Sequence, residues 1–166
     1  MSFLSCNNLP FETVQTHEVF MHRALELAQV AGSLQEVPVG AVALFEGEVV
    51  GEGFNQPVGS NNPCAHAEIL ALMAAGERLG NYRLPSVTLY ATLEPCTMCW
   101  GAMVHARIQT LVYGASEPKT GAFQPSLALH QHSGYNHQVE IVQGVMEEAC
   151  SSLLSDFFKT RRAKSD

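Results

Sequence analysis

The apolar positions Phe20, Ala24, Leu27, Ala28 and Ala31 recur one and two helical turns apart and predict an amphipathic helix from Thr16. Thr16 is the expected N-cap, Glu18 sits in the first turn and Gly32 is the expected stop. Two alternating runs, Val39–Phe45 and Glu48–Gly53, flank Glu46-Gly47 and predict a hairpin. Residues 55–63, rich in Asn, Gly and Pro, read as loop. A second helix is expected over 65–78, a strand over 87–93, a largely apolar helix over 97–106 and a strand over 109–115. Residues 116–137 are irregular, with a helical turn expected near Leu127. A short strand over 139–142 and a last helix over about 145–160 complete the order, the latter from a stripe including Met146, Cys150, Leu153, Leu154 and Phe157. Strands interleaved with helices in this way predict one α/β domain over 16–162, between an N-terminal arm (1–15) and a tail (163–166).

At 166 residues and 46% hydrophobic the chain can bury a core without disulfides. There is no run of 18 apolar residues, so no membrane span is expected. No Lys or Arg precedes Arg23, and the first twenty residues lack an apolar stretch, so a secretory signal is not expected and the compartment reads as cytoplasmic. Five cysteines is an odd number, and Cys96-x-x-Cys99 in such a chain points to metal or redox chemistry before disulfides. Charge restricts the partners. The net charge is −7, and Lys159, Arg161, Arg162 and Lys164 against Asp166 make the last eight residues +3, which leaves −10 on residues 1–158. A body so acidic lacks the basic face of a non-specific nucleic-acid binder, so any polyanion would meet locally placed cations such as Arg107, Lys119 or the tail.

Two segments carry chemistry: Ala65-His66-Ala67-Glu68, opening the second helix, and Glu94-Pro95-Cys96-Thr97-Met98-Cys99, opening the third. Cysteines three apart share a helix face and can grip one ion, and a helix N-terminus stabilises thiolate. Alone, a Cys-x-x-Cys pair is more often a structural half-site or a redox pair. The possible fourth ligands are poor: Cys64 lies two residues before His66, and His105 lies six beyond Cys99, too far round its helix. Three ligands (His66, Cys96 and Cys99) with one position left for water therefore fit a catalytic zinc, and Glu68 supplies a carboxylate to move protons. Positions i and i+2 lie on different helix faces, so His66 and Glu68 converge only if the motif straddles the helix start.

His-x-Glu followed by Pro-Cys-x-x-Cys is the signature of zinc deaminases acting on nucleobases. The resemblance extends further, over about residues 16–162. In Glu36–Val42, Gly51–Asn55, Ala65–Ile69, Asn81–Leu84, Thr92–Cys99, Gly101–Ile108, Lys119–Ala122, Asn136-His137 and Leu153–Phe158 the chain resembles the bacterial tRNA-specific adenosine deaminases. The resemblance implies a cytidine deaminase-like three-layer α/β/α sandwich on a mixed five-stranded sheet. It also implies a homodimer with one Zn²⁺ per subunit, and hydrolysis of adenosine to inosine at the wobble position of a tRNA anticodon stem-loop. By the same resemblance His66, Cys96 and Cys99 hold the metal and Glu68 shuttles protons. Asn55, Val39, Ala67 and Asn136 line the pocket, and Lys119, His137 and Phe158 meet RNA. An anticodon loop offers unstacked bases held by stacking and edge hydrogen bonds, which makes an acidic body tolerable.

Departures from the family pattern fall outside the metal set: Asn62, Cys64, Trp100, Glu117 and Gln124-Pro125. Trp100 and Met98 read as packing residues, Cys150 as core, Cys6 as an arm thiol, and Glu94 as a local hydrogen-bond acceptor rather than a second acid. His130, His132 and His137 are too irregularly spaced for a second metal site. Three other functions stay open on the motifs alone: a free nucleobase or nucleoside deaminase, an inactive zinc RNA-binding scaffold, and a structural zinc protein with a fourth protein ligand.

Overall fold

A computed structural model describes residues 4–163. The alternation of buried side chains along the strands decides its layering. Ala41 and Ala43 of β2 (Gly40–Phe45), Leu89 and Ala91 of β4 (Thr88–Leu93), and Leu111 and Tyr113 of β5 (Thr110–Ala115) point to one core. Their neighbours Val42, Tyr90 and Val112 point to the other, as the period of two in a strand requires. The first core is closed by α2 (Ala67–Leu79) and α3 (Thr97–Ala106), the second by α1 (Phe11–Ser33) and α4 (Glu147–Ala163). The result is the expected α/β/α sandwich.

The sheet has six strands rather than the expected five, in the order β1-β6-β5-β4-β2-β3. The extra strand is β1 (Leu4–Ser5), which pairs in parallel with β6 (Glu140–Gln143) and so draws part of the expected arm into the sheet. β6, β5 and β4 are mutually parallel, while β2 runs antiparallel to both β4 and β3 (Glu48–Phe54). The β2–β3 hairpin turns at Glu46 and Gly47 with φ of 50° and 83°, the two positive values a type I′ turn needs.

Helix α1 starts five residues earlier than its pattern suggested. Pro10, with φ −57°, occupies the cap and accepts hydrogen bonds from the Thr13 and Val14 amides, so Thr16 lies within the helix. Proline presets the backbone at a helix start and cannot extend the helix backwards. The helical turn expected near Leu127 forms at Leu129–Gln131.

Backbone-close packing sets α2 on β3. An added Cβ at Gly51 would lie 2.2 Å from the Ala71 carbonyl oxygen, and one at Gly53 2.2 Å from that of Ala67. With Ala67, Ala71 and Ala75 fully buried opposite, strand and helix meet along a seam almost without side chains. Trp100, 1% exposed, fills the space under α3 and packs edge-on against Phe123 at 4.9 Å between ring centroids. That makes it a packing residue, as its sequence context suggested. Truncating a buried tryptophan costs about 3–5 kcal/mol. Among the described residues no helix is long and apolar enough to cross a membrane.

Candidate active site

Helices α2 and α3 both begin at the edge of the sheet where β4 ends. Their caps bring the two motifs together. His66 is the cap of α2 with extended backbone (φ −78°, ψ 150°), and Glu68 is in the first helical turn. The motif therefore straddles the helix start, which is the condition for both side chains to face one point. Cys96 caps α3, also in extended conformation, and Cys99 lies in its first turn.

The three donor atoms form a compact triangle. His66 Nδ1 lies 3.7 Å from Cys96 Sγ and 3.6 Å from Cys99 Sγ, and the sulfurs are 3.6 Å apart. Tetrahedral zinc at its ordinary bond lengths separates two thiolates by about 3.8 Å and a thiolate from an imidazole nitrogen by about 3.5 Å. The spacing of the donors thus already matches the ion, and a mixed thiolate–imidazole set suits Zn²⁺. Among the described residues the cluster stops at these three; Cys64 and His105 are exposed and outside it. Two helix N-termini directed at the triangle favour anionic ligands.

The protonation pattern agrees with a metal-binding role. The Cys96 thiol is pushed down to about 4 by hydrogen bonding to Cys99, with His66 acting in the same direction against burial. The Cys99 thiol is pushed up by its contact with Cys96 and by burial. The His66 ring is raised, chiefly by hydrogen bonding to Cys96. Glu68, only 3% exposed, has its carboxyl raised mainly by burial. A buried carboxylate that is hydrogen-bonded to Cys99 and feels the charge of His66 is suited to holding and releasing a proton.

Three further expected residues join the site. Asn55, 8% exposed, accepts the Ala67 amide at its Oδ1 (2.9 Å), and its own amide donates to the Val39 carbonyl (3.0 Å). Asn55 is thus tied directly to the His66–Glu68 turn at Ala67, and Val39 is joined to it through Asn55. Lys119 lies on a loop whose Gly121 bridges to Cys96 and whose Ala122 amide donates to the Pro95 carbonyl (2.9 Å). Phe158, 41% exposed, lies near the end of α4, which runs beside α1 so that Asp156 and Gln29 line one cleft. α1 itself leads to Gly40, whose amide donates to the Thr92 Oγ1 at the site edge (3.2 Å).

Asn136 and His137 are not brought to this cluster. His137 Nε2 bonds the Ile108 carbonyl (2.7 Å), before β5 begins and hence at the opposite edge of the sheet, and Asn136 is exposed beside it. Two carboxylates missed as organisers tie loops to the site. Glu36 accepts the Gly59 amide (2.7 Å), and Glu94 accepts the amides of Glu117 (3.0 Å) and Phe123 (2.9 Å). Glu94 is therefore an acceptor, as expected, but of long-range rather than local bonds.

An open three-ligand zinc site with an adjacent acid, at the mouths of two helices on an α/β/α sandwich, defines a zinc-dependent deaminase. The model of the cytidine and deoxycytidylate deaminase zinc-binding region matches residues 14–115. The tRNA-specific adenosine deaminase of Haemophilus influenzae is 48% identical over 146 residues, 87% of this chain and 84% of the relative. That of Bacillus subtilis is 42% identical over 147 residues, 89% and 91% of the two chains. A solved structure from work on A-to-I editing by tRNA:A34 deaminases superposes with a TM-score of 0.79 at 41% identity, covering 81% of this chain and 98% of that one. The Bacillus subtilis guanine deaminase structure superposes with a TM-score of 0.58 at 40% identity over 60% of this chain and 64% of its own. The chain belongs to the tRNA-specific adenosine deaminases.

Proposed function

We propose that the protein hydrolyses adenosine to inosine at the wobble position, 34, of tRNA anticodons. The observation that carries this reading is the turn at the start of α2, which sets a buried Glu68 beside the His66–Cys96–Cys99 triangle. Zinc bound by such a set supplies Lewis acidity that makes water nucleophilic near neutral pH. Glu68 takes a proton from the attacking water, passes one to N1 of adenine as oxygen adds at C6, and then protonates the departing amine. Water is consumed and ammonia released, so the ring gains one oxygen and loses one nitrogen. Asn55 holds the flipped nucleoside, with Val39 and Ala67 forming the wall beside it. Lys119 and the Phe158–Arg162 end of α4 engage the RNA. Phe157 carries Arg161 at 5.7 Å over its ring, a cationic surface suited to unstacked bases. His137, already engaged by Ile108, and its neighbour Asn136 are left out of the pocket in this reading.

The active form is proposed as a homodimer in the cytoplasm with one zinc per subunit. The cleft between α2 and α3, with Met73 and Tyr82 64% and 71% exposed on its rim, is the face offered to the second copy. The deciding experiment gives zinc-loaded protein an A34-bearing tRNA and, in parallel, free adenosine, cytidine and guanine, with Glu68→Ala as control. Inosine in the tRNA alone, absent with Glu68→Ala, is expected. Turnover of a free base with untouched tRNA would instead place the chain with the guanine deaminase it also resembles.

A further inference from the structure

We propose that Glu94 is a positioning residue that clamps the 117–123 loop against the metal motif and thereby presents Lys119 to the RNA. This rests on the reading of the protein as a tRNA deaminase. Glu94 is the first residue after β4, 7% exposed, and directly precedes Pro95 and the ligand Cys96. Its two carboxylate oxygens bind the two ends of one loop. Oε2 accepts from the Glu117 amide at 3.0 Å, and Oε1 accepts from the Phe123 amide at 2.9 Å. Between those anchors the Ala122 amide donates to the Pro95 carbonyl, and Gly121 pairs with Cys96. The Lys119 amide donates to Glu117 Oε1 at 2.8 Å, which turns the loop outward and leaves the Lys119 side chain exposed.

The placement has an electrostatic purpose. Lys119 is the sole Lys or Arg between Arg107 and Lys159, in a body of net charge −10 outside its last eight residues. One cation in such a field contributes to RNA binding only where it is held. A carboxylate accepting two backbone amides makes charge-assisted bonds, roughly twice as strong as neutral ones. The loop is thus registered to Glu94, Pro95 and Cys96, the segment that delivers one of the three metal ligands. Gly121 belongs to the device: a Cβ there would fall 2.3 Å from Glu94 Oε1 and 2.5 Å from the Glu117 carbonyl oxygen. Any side chain at 121 expels the carboxylate from its clamp.

Two variants break the clamp from opposite sides, Glu94→Gln, which opposes an amide N–H with its own NH₂, and Gly121→Ala. Each is compared with wild type as the zinc-loaded full chain. Trypsin reads the loop directly, because cleavage after Lys119 yields a diagnostic 119-residue fragment. Both variants are expected to accelerate that cut at least tenfold. On an A34 stem-loop both should raise KM about tenfold with kcat within threefold, and lower the slope of log affinity against log salt by about one. Glu94→Gln combined with Lys119→Ala should be no worse than Lys119→Ala alone. Wild-type cutting rates in both variants, or KM effects of Glu94→Gln and Lys119→Ala that multiply, overturn the proposal. Wild-type protein that makes no inosine in the stem-loop defeats the functional reading, while proteolysis still tests the clamp by itself.

Discussion

Gly53→Ala tests whether the glycine–alanine seam sets the geometry of the site. The new Cβ would lie 2.2 Å from the Ala67 carbonyl oxygen, 2.7 Å from the Ala71 amide nitrogen and 2.9 Å from Leu70 Cβ. Ordinary contact begins at 3.4 Å, so helix and strand must separate by the difference, about 1.2 Å. The two nearest obstructing atoms are backbone and the third is a Cβ, so no rotamer change relieves them. Ala67 sits between the ligand His66 and the acid Glu68, so the displacement reaches both. Overpacking of this kind costs about 1–3 kcal/mol, or about 2–12 °C in Tm at about 2–4 °C per kcal/mol for a chain of this size. A 1 Å misplacement in an active site costs about a hundredfold in rate. Gly76→Ala is the control: it is in the same helix, its nearest neighbour is the Asn81 carbonyl oxygen at an ordinary 3.5 Å, and alanine favours helix by up to about 1 kcal/mol. Thermal melting and inosine formation are measured on both. Gly53→Ala behaving like Gly76→Ala, with Tm and kcat at or above wild type, would refute the argument.

Cys64→Ser is expected to keep full zinc stoichiometry by metal analysis, since Cys64 is exposed and outside the triangle, whereas Cys99→Ser should lose most of it. Chelation is expected to abolish deamination while far-UV circular dichroism stays native, because the two buried cores enclose the helices independently of the metal. A collapse of the helical signal on chelation would indicate a structural zinc. His17 provides a pH test. Burial lowers its pKa against a smaller opposing effect of Glu140, and its Nδ1 meets the Tyr90 hydroxyl at 3.0 Å. The unfolded chain then binds a proton first, so stability present above the ordinary imidazole value of about 6.5 is lost as pH falls below it. In His17→Gln the fall in Tm between pH 7.5 and 5.5 should be smaller than in wild type; an equal or larger fall would contradict this.

The legible parts of the chain were those whose partners are near in sequence or whose period is intrinsic. The β2–β3 hairpin followed from Glu46-Gly47, α3 began and ended as expected, and the His66–Glu68 pair met its geometric condition. β1 was illegible because two residues carry no periodicity, and their partners, Val142 and Gln143, are remote along the chain. The same distance hid the roles of Glu36 and Glu94, whose acceptors serve amides 23 and up to 29 positions away. Backbone amides have no residue type, so no motif announces them. Asn136, expected beside the pocket, shows the converse limit: a place in a family pattern did not imply adjacency to the metal within one chain, since its neighbour His137 bonds Ile108 at the opposite edge of the sheet.

The two helices that deliver the metal ligands are held by different physics, and this divides the site by function. α2 rests on β3 through backbone contacts at Gly51 and Gly53, with buried alanines opposite. Such a seam has almost no rotamers to vary, so it can fix His66 and Glu68 relative to the sheet with little freedom. α3 is held by large side chains, with Trp100 against Phe123 and Met103 beneath, and by the polar clamp of Glu94 at its mouth. Side-chain packing tolerates volume-conserving exchange better than backbone contact does. Of the expected departures from the family pattern, Trp100 lies on the α3 side and Glu117 and Gln124-Pro125 in the loop that packs there, while Asn62 and Cys64 lie in the loop that leads to α2, outside its seam with β3. The rigid seam thus fixes His66 and Glu68, the residues proposed to hold metal and move protons, while the adaptable side carries the loop proposed to present Lys119 to RNA.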